Sequence, residues 1–353
     1  MVRIGFVGTG LIAWAHGLGL KAMIDGGVLD ASIVAVHDAH ERRARGFADA
    51  LGGAEVVADA REVARRCDAV WVCTPTAAHR SAVDAAVAAG CAVFCEKPLD
   101  RNLAGAQALA DVVAAAGVPS QSGLVLRSAP VFRALRDLIA GGSLGEPMAA
   151  VFRDDQYFPI QGTYASRWRA EVAQAGGGCL IEHSIHDVDI LRFCFGDVAR
   201  VAARTANHAG HEGVEDLATV SLSFASGFEA DLTSVWHDIM SRGSTRRIEV
   251  FCREGMVWLE DEFRGPLYVQ TSAGTEVRDC PSPHWVDELP LADDEVGLAV
   301  RTYVEADRGF LEAVAAGRPP EPGLDVALEA HRLVDAAYRS AAAGGSPVSL
   351  AGA

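Results

Sequence analysis

Apolar and polar residues alternate in blocks along the first third of the chain. Short, wholly apolar runs such as RIGFVG, ASIVAVHD and DAVWVCTP are separated by stretches with helical periodicity, among them ERRARGFADAL and HRSAVDAAVAAG. Strands that are apolar throughout and joined by helices are typical of a parallel sheet covered on both faces. The pattern predicts an α/β domain with a doubly wound parallel sheet over residues 1–124.

The pattern changes after about residue 124. The amphipathic stretch APVFRALRDLIAGG is followed by runs that alternate more loosely, such as LATVSLSF and RRIEVFC, with short turns between such runs. This favours an antiparallel sheet. We therefore predict a second domain, residues 125–353, of the α+β class with an open, mostly antiparallel sheet. Its longer helices are expected at residues 179–195, 294–316 and 325–343.

Composition narrows the class of protein. The chain has 353 residues and a formal net charge of -16, which argues against nucleic acid and anionic membranes as general partners. Its eight cysteines form no C-x-x-C pair and mostly lie in apolar runs. This pattern favours free, buried thiols in a cytoplasmic protein over disulfides. No apolar run reaches membrane-spanning length.

A glycine-rich turn follows the first predicted strand. In VGTGLIA, Gly8 permits a tight turn and Gly10 lets the backbone approach a pyrophosphate, while Ala13 replaces the third glycine of the usual motif. The helix then begins at Leu11 and Ile12, so that its N-terminal amides face the anion. The turn predicts dinucleotide binding.

Asp38 ends the second strand, where a carboxylate binds the adenosine ribose hydroxyls. This would favour NAD over NADP, because a carboxylate repels a 2′-phosphate. The spacing from Gly10 is longer than the usual one of about 20 residues. Arg42 and Arg43 can weaken the discrimination, and a solvated strand end is the alternative interpretation.

Polar residues also follow two later strands. In CTPTAAH, Thr74 and Pro75 form a polar turn at the cofactor edge of the sheet, and His79 is a helix-start residue or a cofactor neighbour. In CEKPL, Glu96 is placed to bind the ribose of the nicotinamide half. Lys97 places a cation over the sheet edge.

The stretch GGGCLIEHSIHDVD, residues 176–189, crowds titratable groups behind three glycines. In a continuous helix, Glu182, His186 and Asp189 fall within an arc of roughly 60°. We expect these three at the active site, and His183 and Asp187 as an exposed pair elsewhere. The two histidines are three residues apart and no H-E-x-x-H motif is present, so no metal site is expected.

This cluster suits the oxidation of an alcohol. His186 is the candidate base, because histidine titrates near neutral pH. Glu182 can orient it or relay its proton, and Lys97 can stabilise a developing alkoxide. The less certain candidates for contact with a hydroxylated substrate are Arg127, Tyr157, Trp168, Asp189 and His237.

The motifs VGTGLIA, CTPTAAH, CEKP and GGGCLIEHSIHDVDILRF, with YVEADRGFLEAVAAGRPPEP near the end, occur in a characteristic order. Over nearly its whole length the chain resembles the glucose–fructose oxidoreductase / inositol dehydrogenase (Gfo/Idh/MocA) family. The resemblance implies a Rossmann domain followed by an open-faced α/β domain. It also implies hydride exchange between NAD(P) and a hydroxyl of a sugar, cyclitol or related polyol.

The resemblance assigns roles residue by residue. Lys97 matches the family's EKP lysine, and His186 matches its catalytic histidine. Glu182 stands where inositol dehydrogenases usually carry aspartate, which moves the charge and can reshape the sugar site. The family further implies a homodimer or homotetramer through the outer face of the sheet, with which LATVSLSF and RRIEVFC are compatible.

Two other functions remain open from the sequence. The fold can serve a non-catalytic sensor that binds a dinucleotide or a sugar, although such a sensor does not need both Lys97 and His186. The chain can also be a reductase of an imine or enone, with Lys97 as the acid.

Overall fold

The computed structural model describes residues 1–261 and 265–350, and both the segment 262–264 and the end of the predicted second domain lie outside this range. The chain divides into two compact units. The first contains Met1–Val125 and Pro283–Leu328, and the second contains Leu126–Ser282 and the described residues from Glu329 onward.

The helices and strands alternate in the first third of the chain and are mixed afterwards. The strands are β1 (Val2–Val7), β2 (Ala31–His37), β3 (Glu55–Val56), β4 (Ala69–Val72), β5 (Ala92–Cys95), β6 (Ser120–Ser122), β7 (Pro147–Tyr157), β8 (Val198–Ala206), β9 (Leu217–Phe224), β10 (Glu229–His237), β11 (Thr245–Cys252), β12 (Gly255–Leu259), β13 (Leu267–Thr271), β14 (Gly274–Arg278) and β15 (Val348–Ser349). The helices are α1 (Leu11–Asp25), α2 (Glu41–Ala50), α3 (Ala60–Ala64), α4 (His79–Ala88), α5 (Leu103–Ala116), α6 (Pro130–Ala140), α7 (Val172–Ala175), α8 (Cys179–Glu182), α9 (Ile185–Phe195), α10 (His284–Asp287), α11 (Glu295–Arg301), α12 (Val304–Ala315) and α13 (Leu324–Ala342).

The first unit is built on a parallel sheet with the strand order β3-β2-β1-β4-β5-β6. This is the order of a doubly wound dinucleotide-binding domain. Every residue of β4 and β5 is buried, as expected for strands covered by helices on both faces. The predicted fold class of this domain is confirmed.

The first unit is discontinuous in sequence, which differs from the prediction of one unbroken second domain. Residues 283–328 group with residues 1–125. The physical reason is apolar packing, since Val304, Phe310 and Leu311 of α12 lie in the same buried cluster as Phe6 and Leu20. The change of hydrophobic pattern near residue 124 does not reveal that a later helix packs into the core of the first unit.

The second unit contains a nine-stranded sheet among the described strands, in the order β14-β13-β12-β11-β7-β10-β9-β8-β15. All neighbours pair antiparallel except β7 and β10, which run parallel. The predicted mostly antiparallel sheet is therefore confirmed. Strand β7 is central to this sheet: it pairs parallel with β10 on one edge and antiparallel with β11 on the other.

The alternation in β9 serves this unit's own core. Its apolar residues Ala218, Val220, Leu222 and Phe224 are buried, whereas the other face is polar apart from Leu217. Apart from Leu217, the apolar positions of LATVSLSF therefore face inward. In β11, Ile248 and the other alternate positions are likewise buried, whereas Phe251 is exposed on the opposite face.

The glycines before α8 make room for the chain's own neighbours. A Cβ on Gly178 would lie 1.7 Å from the carbonyl oxygen of Glu215, and a Cβ on Gly177 would lie 2.5 Å from the hydroxyl of Tyr338. The Glu215 carboxylate accepts hydrogen bonds from the Gly178 amide at 2.8 Å and from the Tyr338 hydroxyl at 2.8 Å. A buried carboxylate thus caps the start of α8, where the helix dipole favours an anion.

The predicted helix over residues 179–195 is broken into α8 and α9. The amide of Ser184 donates to the carbonyl of Cys179, five residues earlier, at 2.8 Å, which is the spacing of a π-type turn. The Ser184 hydroxyl donates to the Asp154 carboxylate at 3.0 Å and can accept from the Ser234 hydroxyl, which lies 2.6 Å away. These bonds hold the extra residue, so positions before and after it are out of phase with a straight helix.

Two further predictions concern membrane-spanning segments and thiols. Within residues 1–261 and 265–350, the helices are all too short or too polar to span a bilayer. All eight cysteines are free, and seven of them are buried, which confirms the interpretation of these residues as buried thiols.

The close approach at Gly178 predicts a stability effect. Gly178→Ala is expected to destabilise the chain by about 1–3 kcal/mol, because the new Cβ would overlap the backbone of Glu215. Urea unfolding measures this loss. Gly46→Ala is the matched control: Gly46 lies within α2 with open space around its Cβ position, so the substitution should stabilise by about 0.5–1 kcal/mol. Equal effects of the two substitutions would contradict the packing argument.

Candidate active site

The glycine turn has the geometry of an anion cradle. Gly8 has a φ of 89°, and a Cβ there would lie 2.6 Å from the backbone of Cys73. A Cβ on Gly10 would meet nothing within 4 Å, so space is open in front of α1. No acidic residue occurs in the first turn of this helix to occupy its amides. The residues of that turn are Leu11, Ile12 and Ala13, of which Ala13 is fully buried.

Asp38 lies beside this turn. Its Oδ2 accepts hydrogen bonds from the amide of Thr9 at 2.8 Å and from the Thr9 hydroxyl at 3.0 Å, and its Oδ1 accepts from the amide of His40 at 2.8 Å. The carboxylate is therefore oriented by the loop that carries the glycines. Its contact with a ribose stays a prediction.

The turn after β4 completes this edge of the sheet. The amide nitrogen of Thr74 lies next to Gly8, and the Thr74 hydroxyl is buried with no hydrogen-bond partner in the described part of the chain. His79 is 1% exposed, and its Nε2 donates to the Thr74 carbonyl at 3.0 Å. Burial lowers the pKa of His79 below its usual value. His79 therefore supports the turn at Thr74 and Pro75 as a neutral ring from inside the unit.

These residues fit a dinucleotide. The open space at Gly10 and the uncapped N-terminus of α1 suit a pyrophosphate. Asp38 follows β2 beside the glycine turn, where a Rossmann domain is expected to bind the adenosine ribose, and the Thr74 hydroxyl is buried at the turn after β4. These are the features of a Rossmann domain that binds its cofactor at the carboxyl ends of the strands.

Glu96 is turned inward, which differs from the expectation that it binds a ribose. It is 4% exposed, and its Oε1 lies 2.9 Å from Nε2 of His16. Its Oε2 accepts the backbone amide of Lys97 at 3.2 Å. A Cβ on Gly123 would lie 2.4 Å from this carboxylate, so the glycine leaves room for it. Lys97 is half-buried at the start of the following turn.

In the second unit, His186 is the second residue of α9 and is 8% exposed. Glu182 ends α8 and is ion-paired with Arg169, whose Nε lies 2.6 Å from Oε1. The Arg169 guanidinium lies over the ring of Trp168, at 4.9 Å from its centroid, and near that of Tyr164. Sequence reasoning missed Arg169, and the clustered aromatic residues of YASRWR were its one signal.

Asp189 and Arg127 were predicted as separate substrate contacts, but the structure pairs them with each other. The guanidinium of Arg127 donates two hydrogen bonds to the Asp189 carboxylate, at 2.8 and 2.7 Å. Burial raises the pKa of Asp189, and Arg127 opposes this rise. Such a bidentate pair fixes α9 against the short 3-10 helix that contains Arg127.

The prediction of His183 and Asp187 as an exposed pair is wrong. Asp187 is fully buried and accepts a 2.6 Å hydrogen bond from Arg246, which also lies 3.3 Å from Asp154. His183 lies 3.2 Å from Asp154 and is mostly buried. The π-type turn at Ser184 rotates these side chains inward, where the charges pair with each other.

Tyr157 and His237 lie at the ends of neighbouring strands. The Tyr157 hydroxyl accepts the amide of Thr163 at 3.2 Å, and its ring is 8% exposed. His237 lies 3.4 Å from Asp155, which also pairs with Arg242. Neither contact decides whether these side chains reach a substrate, so that role stays a prediction.

The strand pattern held a signal for the buried network that the helix analysis missed. Arg246 shares an inward face with Ile248 and Val250 of β11, and Asp154 shares one with Phe152 of β7. A charge at an inward strand position requires a buried partner of opposite sign. Both residues therefore pointed to an internal ion pair.

Comparison with known proteins agrees with this architecture. The model of an oxidoreductase family with an NAD-binding Rossmann fold, GFO/IDH/MocA, matches residues 2–124, and the GFO/IDH/MocA C-terminal domain matches residues 132–258. The chain is 31% identical to inositol 2-dehydrogenase of Rhizobium meliloti (strain 1021) over 97% of both chains. It is 30% identical to myo-inositol 2-dehydrogenase of Thermotoga maritima over 90% of both chains.

A solved structure also matches along the whole length. A crystal structure of a protein from Sinorhizobium meliloti 1021 is 29% identical and has a TM-score of 0.78, covering 99% of this chain and 100% of that chain. The protein is thus an NAD-dependent oxidoreductase with an NAD-binding Rossmann domain. It belongs to the GFO/IDH/MocA family, which confirms the resemblance seen in the motifs.

The buried network around Asp187 predicts a pH effect on stability. Burial raises the pKa of Asp187 to about 7, although Arg246 opposes the rise and Asp154 adds to it. Between about pH 4 and 7 the folded chain therefore keeps a proton that the unfolded chain releases, and stability falls as pH rises. Relative to the native protein, Asp187→Asn should gain stability over this range, on the order of 1 kcal/mol per pH unit.

Denaturant unfolding of both proteins at several pH values measures this difference. Asp197→Asn is the control, because Asp197 is exposed and paired with Arg192 at the surface. The comparison separates the effect of the buried position from the loss of a carboxylate as such. A pH-independent difference for Asp187→Asn would show that this carboxyl is ionised throughout.

Proposed function

We propose that this protein oxidises a secondary hydroxyl of a cyclitol or sugar, with an inositol as the leading substrate. Bound NAD supplies the acceptor for the hydride. The observation that carries the proposal is the presence of Lys97 and His186 at the motif positions of a chain that is similar to two inositol dehydrogenases over most of its length.

The chain's own residues handle the proton. His186 accepts the proton of the substrate hydroxyl as the carbon–hydrogen bond breaks, because a neutral imidazole is a base near neutral pH. The Lys97 ammonium donates a hydrogen bond to the same oxygen and stabilises the developing negative charge. The mechanism requires both groups to reach one hydroxyl of the bound substrate.

Glu182 takes a role that differs from simple orientation of His186. Its ion pair with Arg169 fixes the carboxylate, and Arg169 in turn lies over Trp168. We infer that this polar pair and the aromatic ring form one wall of the substrate site. Aromatic faces suit the C–H faces of hydroxylated rings, while the charged pair binds hydroxyl groups.

A symmetric oligomer is part of the proposal. Val151 of β7 and Phe251 of β11 are 51% and 40% exposed on neighbouring strands. Exposed apolar residues on one sheet face support a homodimer or homotetramer through that face. Sedimentation equilibrium distinguishes these states from a monomer.

The catalytic assignment predicts selective losses of turnover. His186→Ala is expected to lower kcat by about 10²–10⁴-fold with NAD affinity nearly unchanged, because it removes the base and leaves the first unit intact. NADH formation with a panel of inositols and aldoses measures kcat, and calorimetry measures NAD affinity. His208→Ala, in an exposed loop, is the matched control and should retain full activity. Full turnover by a folded His186→Ala protein would sink the assignment.

The position of Asp38 predicts cofactor preference. Asp38→Ala should reduce the ratio of kcat/KM for NAD to that for NADP, since the carboxylate that repels a 2′-phosphate is gone. Steady-state kinetics with both cofactors measure the ratio. Asp49→Ala, in the last turn of α2, is the control and should leave the ratio as it is. An unchanged ratio in Asp38→Ala would mean that another residue selects the cofactor.

A further inference from the structure

A histidine is buried between two carboxylates in the first unit. His16 of α1 is 0% exposed, and its Nδ1 lies 2.7 Å from Oδ1 of Asp307 in α12. Its Nε2 lies 2.9 Å from Oε1 of Glu96. The indole nitrogen of Trp71 also donates to Asp307, at 2.9 Å. No motif drew attention to His16 or Asp307, although both lie on apolar helix faces.

The geometry defines the protonation state of this ring. An ionised carboxylate only accepts hydrogen bonds, so both ring nitrogens must donate, and the ring must carry two protons. Burial alone would lower the pKa of His16, but the charge of Asp307 and the hydrogen bonds to Asp307 and Glu96 raise it to about 10. The geometry and this direction of the pKa both indicate a protonated, positively charged His16 ring at neutral pH.

The other side chains described around the His16 ring and Glu96 are aromatic rings or titratable groups that are neutral at neutral pH. The rings of Phe94 and Tyr303 pack against it at 4.9 and 5.1 Å. Burial raises the pKa of Cys73 and of Cys95 and lowers that of His79, so these three neighbours of Glu96 are neutral. The two carboxylates are thus the charges that His16 balances.

The link from this ring to the active site runs through Glu96. The same carboxylate that meets His16 with Oε1 accepts the backbone amide of Lys97 with Oε2, at 3.2 Å. Gly123 leaves the space in which the carboxylate lies. Helix α1, which contains His16, begins at the glycine turn. One helix therefore carries both the predicted pyrophosphate site and His16.

We propose that His16 is a positioning residue, which holds the Glu96 carboxylate through its Nε2–H and thereby fixes the backbone from which Lys97 extends. The consequence for turnover rests on the proposed role of Lys97. The effect on the backbone does not, and the two are measured separately.

Two substitutions separate the two hydrogen bonds of the ring. In His16→Gln, the side-chain amide nitrogen falls near the position of Nε2 and can still donate to Glu96. In His16→Asn, the amide nitrogen falls near Nδ1 and can donate only to Asp307. Both remove the positive charge, so each variant is the matched control of the other.

The expected result is a difference in kcat. His16→Asn should lower kcat by about 100-fold, the effect of a misplacement of roughly 1 Å, with the Kd for NAD within about threefold of the native value. His16→Gln should recover most of that loss. Equal losses in two folded variants would overturn the proposal, because a structural role depends on either bond alike.

Hydrogen exchange tests the backbone without any turnover. Mass spectrometry of a peptide that contains Lys97 should show faster exchange of its amide in His16→Asn than in His16→Gln or the native protein. If thermal unfolding shows that the His16 variants do not fold, Glu96→Gln replaces them. It leaves one acceptor oxygen for two donors, so the Lys97 amide should again exchange faster.

These readouts distinguish the two ways of failing. Faster exchange in His16→Asn with unchanged kcat would uphold the positioning of Lys97 and remove that residue from the reaction. Unchanged exchange in the folded variants would reject the positioning role, whatever the activity.

Discussion

A carboxylate that leaves water must find hydrogen-bond donors or a cation, and this constraint organises both units. The carboxylate of Glu215 meets it with the amides at the start of α8, and Asp189 meets it with Arg127. Asp187 meets it with Arg246, and Glu96 with His16. Each pairing joins two segments that are far apart in sequence. The residues around the predicted site are therefore placed by the partners of buried acids more than by helix or strand propensity.

Local patterns were sufficient for the first sheet and its cofactor edge. Wholly apolar strands are recognisable from their own residues, and the glycine turn and Asp38 lie within about 30 residues of each other, a separation at which βα units repeat. The position of Lys97 after a buried strand follows from the same rule. These features can be predicted from a single sequence because local residues determine them.

Features that depend on contacts between residues far apart in sequence could not be predicted in this way. The helix before and after Ser184 reads as one periodic stretch, since nothing local shows that Asp154 and Ser234 hold an extra residue in the turn. Because the extra residue at Ser184 was not foreseen, Asp187 was predicted to be exposed, whereas it is buried. The discontinuity of the first unit was missed for a related reason, because the packing partners of α12 lie some 290 residues away, as for His16 and Asp307. Charged residues at inward strand positions, such as Arg246, indicated that buried ion pairs were present.

The discontinuous first unit has a consequence for biosynthesis. Three of its buried polar groups, His16, Trp71 and Glu96, belong to the start of the chain, whereas Asp307 is translated much later. At about 5–20 residues per second a ribosome needs roughly 10–40 s to pass from Glu96 to that residue. During this interval the His16 ring and the Trp71 indole N–H lack their shared acceptor. The buried polar network of the first unit is therefore completed only after Asp307 has been translated.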